Sequence, residues 1–154
     1  MRANTAIRLV FWVAVTVLGP PGSHAASAPA ERASITFPNG AVYQVEIPRD
    51  KRERERGLMF RRKLPARTGM LFVFPASDRH PIWMKNCKIA LDLIWLDDAR
   101  RIVAILPEAP PCPGDPCPIY QPDRPSRYVL EIAAGAAKRE GLVVGSLIQF
   151  DPPT

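Results

Sequence analysis

The segment from Pro107 to Pro125 limits this chain's folding choices more than any other. It holds eight of the 18 prolines. Each proline fixes φ near about −65° and removes an amide donor, so the stretch is predicted to be neither helix nor sheet interior. A loop this long inside a compact domain is either functional or unstructured. Within it, Cys112 and Cys117 have four residues between them, among them Pro113, Gly114 and Pro116. The turn residues let the two thiols meet, and a Cys112–Cys117 disulfide is expected. Closing so short a ring contributes only roughly 2 kcal/mol by the loop-entropy model. Its expected service is to shape the loop and keep it ordered.

Regular structure must therefore come from short segments on either side. Ser34 to Phe37 and Val42 to Ile47 flank Pro38-Asn39-Gly40, and Asn-Gly between apolar runs is a strong hairpin signal. Tyr43, Val45 and Ile47 alternate with Gln44 and Glu46, which predicts a strand with one buried face. Arg49 to Arg56 is wholly charged. Asp50 with Arg54, and Lys51 with Glu55, have i,i+4 spacing, so a short exposed helix is expected, closed by Gly57. Gly69 to Phe74 reads as a buried strand ending at Pro75, and Pro81 to Met84 as a short strand or its approach. Leu91 to Leu96 and Arg101 to Leu106 form a second hairpin about Asp97-Asp98. Tyr128 to Ile132 is another strand. Ala133 to Arg139 is a small-residue helix closed near Gly141, and Leu147 to Phe150 a last strand.

The first 25 residues have a different character. Arg2 and Arg8 precede the apolar run Leu9 to Leu18, Pro20-Pro21-Gly22 breaks it, and Ser23-His24-Ala25 supplies small residues. This is the layout of a secretory signal peptide cleaved after Ala25. The run is about half of the roughly 20 residues that a bilayer span needs, so membrane contact is expected only through this segment before cleavage. Residues 26 to 33 read as a flexible lead-in and 34 to 154 as one domain, placed in the periplasm or secreted. Removing Arg2 and Arg8 lowers the formal charge from +6 to +4. That excess is mild, acids interrupt the basic run, and export argues against a nucleic-acid partner.

The chemistry-bearing residues are few. His80 is the one histidine beyond the signal segment, and two of the three cysteines are expected to be oxidised. Zinc sites recruit several His or Cys ligands. No metal-binding, nucleophile-elbow or phosphate-cradling motif occurs. No metal and no cofactor are expected. Cys87 reads as a buried inert thiol in preference to a thiol–imidazole pair with His80. Asp92 and Glu131 interrupt otherwise apolar strands. A buried carboxyl there needs a partner, for which Lys85, Arg61 and Arg62 are candidates. One reading is a buried ion pair that fixes strand register. The other is a polar site with Lys85 and Asn86 at its mouth.

Three blocks in a 30-residue window stand out: Gly57-Leu58-Met59-Phe60-Arg61, Gly69-Met70-Leu71-Phe72-Val73-Phe74 and Trp83-Met84-Lys85-Asn86. Leu91-Asp92, the Cys112 to Tyr120 loop, Tyr128-Val129-Leu130-Glu131, Ala134-Gly135 and Gly141-Leu142-Val143-Val144-Gly145 follow in order. The ordered set resembles the domain-of-unknown-function 192 family, over about residues 34 to 150. Cys87 departs from the family pattern, which more usually has a small hydroxyl residue after the asparagine. The resemblance implies a mainly β domain, an antiparallel sandwich or half-open barrel with two short helices, with α+β as the alternative. It implies no established activity.

The leading expectation is an exported, non-catalytic module that binds a small ligand or acts as an accessory. Its cleft would be formed by Arg61, Trp83, Met84, Lys85 and Asn86 and gated by the disulfide loop. A charge and an amide beside an aromatic floor suit an anionic or sugar-like ligand. A first alternative is a hydrolase or lyase with Asp92 or Glu131 as base and Lys85 as electrostatic stabiliser. A second is an envelope protein whose charged helix contacts another envelope protein.

Overall fold

The computed structural model describes residues 31 to 151. The expected signal segment and most of the expected lead-in lie outside them. The Asn-Gly hairpin forms where the sequence placed it: β1 (Glu31–Thr36) pairs antiparallel with β2 (Val42–Ile47). Gly40, at φ 83°, donates its N–H to the Phe37 carbonyl, and the Asn39 side chain accepts from Ala41 N. β1 starts at Glu31, so residues 31 to 33 are strand rather than lead-in.

Helix α1 (Lys51–Arg56) follows. The expected Lys51–Glu55 pair forms at 3.6 Å. Asp50 does not pair with Arg54; its carboxyl caps the helix by accepting from Glu53 N at 2.7 Å, as an N-cap aspartate does. Glu53 in turn holds Arg49. Gly57, at φ 44°, ends the helix with its N–H on the Glu53 carbonyl.

β3 (Thr68–Asp78) outruns its expected end at Pro75. It pairs with β2 only from Thr68 to Met70, and its register with β8 shifts between Val73 and Asp78, so Pro75 removes no needed donor. The short β4 (Ile82–Trp83) pairs with β7 (Ile119–Tyr120) in a small second sheet. β5 (Leu91–Leu96) and β6 (Ile102–Ala109) form the second hairpin. The proline-rich segment thus contributes strand at both 107–109 and 119–120, contrary to expectation. Pro107 is tolerated because β6 is an edge strand, next to a register shift. β8 (Ser126–Ala133) and helix α2 (Ala136–Arg139) complete the set.

The main sheet runs β1-β2-β3-β8-β5-β6. All its neighbours are antiparallel except β2 and β3, which the α1-bearing crossover joins in parallel. The protein is therefore mainly β, with a mixed sheet, a small second sheet, two short helices and no closed barrel among the described residues. The expected last strand at 147–150 is instead a segment of single bridges. Gln149 meets Thr36 of β1, and Leu147 meets Arg101 beside β6. It spans the gap between the sheet's two edges, and its Ile148 and Phe150 are buried.

Each face of the sheet carries its own apolar core. One face packs Ile35, Tyr43, Leu71, Ile94 and Ile132 under α2 and the C-terminal segment. The other packs Met70, Phe72, Leu93, Trp95 and Val129 under Leu58, Met84 and the disulfide loop. That second face carries the candidate site.

Candidate functional site

The two interior carboxyls part company. Asp92 pairs with Ile132, and Leu93 pairs with Glu131. Directly opposed residues share a face, while sequence neighbours alternate. Asp92 and Glu131 therefore project from opposite faces and do not converge. The Asp92 oxygens accept from Glu108 N at 2.8 Å, Gly135 N at 3.0 Å and Ala137 N at 2.7 Å. None of the expected cationic partners reaches it. Asp92 ties β5 to the edge strand β6 and to the start of α2, a structural task that also explains a fully buried acid.

Glu131 sits in a row across the other face: Glu46, Met70, Glu131, Leu93. Arg61 lies over this row and grips Glu46 with two hydrogen bonds, at 2.8 and 2.6 Å. The pairing holds the Glu46 carboxyl below the usual range. Glu131 is 5% exposed. Among the described residues its carboxyl has no hydrogen-bond partner, and it lines a half-open pocket of about 420 Å³. Burial pushes its pKa from the ordinary 4.5 up to about 8, with the Arg61 charge opposing in part.

The pocket's walls are apolar: Leu58, Met59, Phe72, Phe74, Ile82 and Trp83. Phe72 can approach because residue 57 is glycine; a Cβ there would stand 3.3 Å from the ring. Cys87 also lines the pocket. Burial, and then the Glu131 charge, push its thiol up to about 11, so it is not an activated nucleophile. His80 does not activate it either: its ring stacks on Phe74 at 3.6 Å, with Nε2 at the Ala76 carbonyl. At the mouth stand Lys51, Arg54, Glu55 and Arg56 of α1.

The expected cleft residues disperse. Trp83 is 44% exposed and lines the pocket. Met84 is buried in the core, and its carbonyl accepts from Cys87 N and Cys112 N. Lys85 points to the disulfide loop, where Nζ pairs with Asp115 at 2.5 Å and lies 5.2 Å from the Trp83 ring centroid. It is therefore committed within the protein. Asn86, at φ 57°, donates its N–H to the Cys112 carbonyl and accepts from Phe60 N, and borders a smaller hollow of about 280 Å³. Arg61 borders a third hollow of about 440 Å³ beside Glu46. The disulfide between Cys112 and Cys117 is present. Through Met84, Lys85 and Asn86, its loop is fastened to the pocket wall.

Sequence reasoning passed over the pocket's mouth, since Arg54 and Arg56 read as a solvated helix, while the wall residues Leu58, Phe72 and Phe74 lie in the blocks that stood out in the sequence. The available signal was Gly57-Leu58-Met59 directly after the charged run, which turns the chain from solvent onto the sheet face.

These features define a mainly β domain with an apolar cleft that has a carboxyl floor and a basic mouth. The chain belongs to the domain-of-unknown-function 192 family, described as "Uncharacterized ACR", whose sequence model matches residues 34–150. Two solved structures are similar. One is a protein from Sinorhizobium meliloti 1021, described as a proposed transcription regulator; it is 29% identical with a TM-score of 0.73, covering 81% of this chain and 98% of that one. The other is a protein of unknown function from Novosphingobium aromaticivorans DSM 12444, 31% identical with a TM-score of 0.69, covering 78% and 84%. No curated protein matches the chain.

Proposed function

We propose that this protein is an exported, non-catalytic binding module that takes a small molecule into the cleft between Trp83 and Glu131. One observation carries the reading. The Glu131 carboxyl has no hydrogen-bond partner among the described residues and opens onto an apolar pocket, and covering it with a ligand is costly unless the ligand brings it a partner. The volume is that of a small-molecule site, as is the pattern of apolar walls with one placed polar group. A catalytic role for the acid pair finds no support in the geometry. Asp92 is on the other face, and Lys85 is spent on Asp115. Export is supported by the basic-apolar-small layout of residues 1 to 25, and by a disulfide of the kind that persists in oxidising compartments.

The test is a thermal-shift screen of the protein purified from a periplasmic extract, against small carboxylates, amino acids and sugars. A ligand at 100 times its Kd adds about 2.7 kcal/mol, or roughly 5 to 20 °C for a domain this size. Such a hit, lost in Trp83→Ala and Leu58→Arg, is the expected result. A cooperatively unfolding protein with no hit would end the small-ligand reading and turn attention to an envelope protein. Failure to recover the protein from the periplasm would end the export reading.

A further inference from the structure

The same pocket also constrains the chemistry of its ligand, an inference that depends on the binding function just proposed. Three features act together. The walls offer flat aromatic and aliphatic surface from Phe72, Phe74, Trp83, Ile82 and Leu58, which suits a planar apolar body. The floor offers a single polar group, the Glu131 carboxyl, and an apolar end inserted there would strip it of water without replacing the lost contacts. The mouth carries net positive charge. Lys51 is neutralised by Glu55 at 3.6 Å, whereas Arg54 and Arg56 make no ion pair among the described residues. Two further cations beside the cleft are already taken, Arg61 by Glu46 and Lys85 by Asp115. A cationic ligand would have to pass the two arginines, while an anionic one is drawn to them and can be held by the guanidinium forks.

From this arrangement we infer that the ligand is a hydroxyaryl carboxylate or a close analogue. Its ring lies against Trp83 and Phe72, its inner hydroxyl meets Glu131, and its carboxylate lies at Arg54 and Arg56. The inner end is selected by hydrogen bonding, because a site built to pair a hydroxyl leaves its own polar group unpaired when the hydroxyl is missing. The outer end is selected by charge, in a solvent-accessible position where salt screens the attraction.

Titration calorimetry on the purified protein, with four probes of similar size, tests this assignment. The probes are 4-hydroxycinnamate, cinnamate without the hydroxyl, 4-vinylphenol without the carboxylate, and the cation tyramine. The expected order places 4-hydroxycinnamate first and cinnamate at least roughly tenfold weaker. 4-Vinylphenol should also bind more weakly, and only the carboxylates should lose affinity with added salt. In Glu131→Leu the preference for 4-hydroxycinnamate over cinnamate should vanish. In the double variant Arg54→Gln, Arg56→Gln the preference over 4-vinylphenol should vanish, and this change, at two helix positions that are not buried, keeps the test open if the floor variant misfolds. Tyramine binding more tightly than 4-hydroxycinnamate would overturn the ligand class and leave the binding function standing. So would silence of all four probes in a protein stabilised by some other screened compound. Silence of the probes together with an empty screen would overturn both.

Discussion

Glu131 and Asp92 show how little residue type says about role. Both are acids in apolar strands, and both are buried. Asp92 is saturated by three backbone N–H groups. Replacing it with Asn keeps the shape but sets an NH2 group against donors. We expect Asp92→Asn to cost about 3 kcal/mol in urea unfolding, since buried groups left unpaired cost about 1–3 kcal/mol each. A loss below about 0.5 kcal/mol would mean that the triple contact is unimportant. Among the described residues Glu131 has no such support, and its titration should be visible in stability. Its folded-state pKa is raised from 4.5 to about 8. The contribution of this carboxyl is therefore fully present below 4.5 and is lost as pH rises through about 8. Comparing Tm for wild type and Glu131→Gln across pH 4.5 to 8 isolates it. The wild type should lose ground steadily against the variant as pH rises. Parallel curves would show that the carboxyl titrates alike in the folded and unfolded chains.

At the scale of elements, the pocket depends on how closely β3 and β8 approach. Gly69 is central to this. A Cβ there would lie 2.5 Å from the Glu131 carbonyl oxygen and 2.9 Å from Ile132. The backbone oxygen cannot swing aside as a flexible side chain would. Gly69→Ala should therefore destabilise the protein by about 1–3 kcal/mol, as overpacking does, and displace Glu131 from the pocket floor. Unchanged stability by chemical denaturation would contradict the close approach. Helix α1 shows local legibility at its best in the charge run and the stop at Gly57, while Asp50, read as a partner for Arg54, caps the helix instead. The proline-rich loop shows the limit of composition. Proline does forbid a ladder donor, yet an edge strand and an unpaired stretch need none, so β6 and β3 run through Pro107 and Pro75.

For the whole molecule, the C-terminal segment links the two edges of the sheet. Bridges at Thr36–Gln149 and Arg101–Leu147 connect it to opposite edges, and Ile148 is completely buried between them. Ile148→Ala should cost about 2–5 kcal/mol by opening a cavity, as a fall in Tm of the cooperative transition. A change near zero would show that the segment merely lies on the core.

The amino-acid sequence by itself determined what is local. The Asn-Gly hairpin, the charged helix stopped at Gly57, the short ring between Cys112 and Cys117, and the ordered motifs of the family all involve residues close along the chain or matched in order. Trp83 could also be picked out as a cleft residue, because an aromatic beside Lys85 and Asn86 is an unusual neighbourhood. Which face each acid takes was decided only by tertiary structure. That choice follows from β8 inserting between β3 and β5 and from the register in which Met70, Glu131 and Leu93 align. A slip of one residue would have exchanged Glu131 with its apolar neighbours, since side chains alternate along a strand. Whether Lys85 serves a ligand or Asp115 is likewise a matter of how the disulfide loop folds back. Such long-range pairings are set by the packing of two cores against one sheet, and no window of sequence contains them.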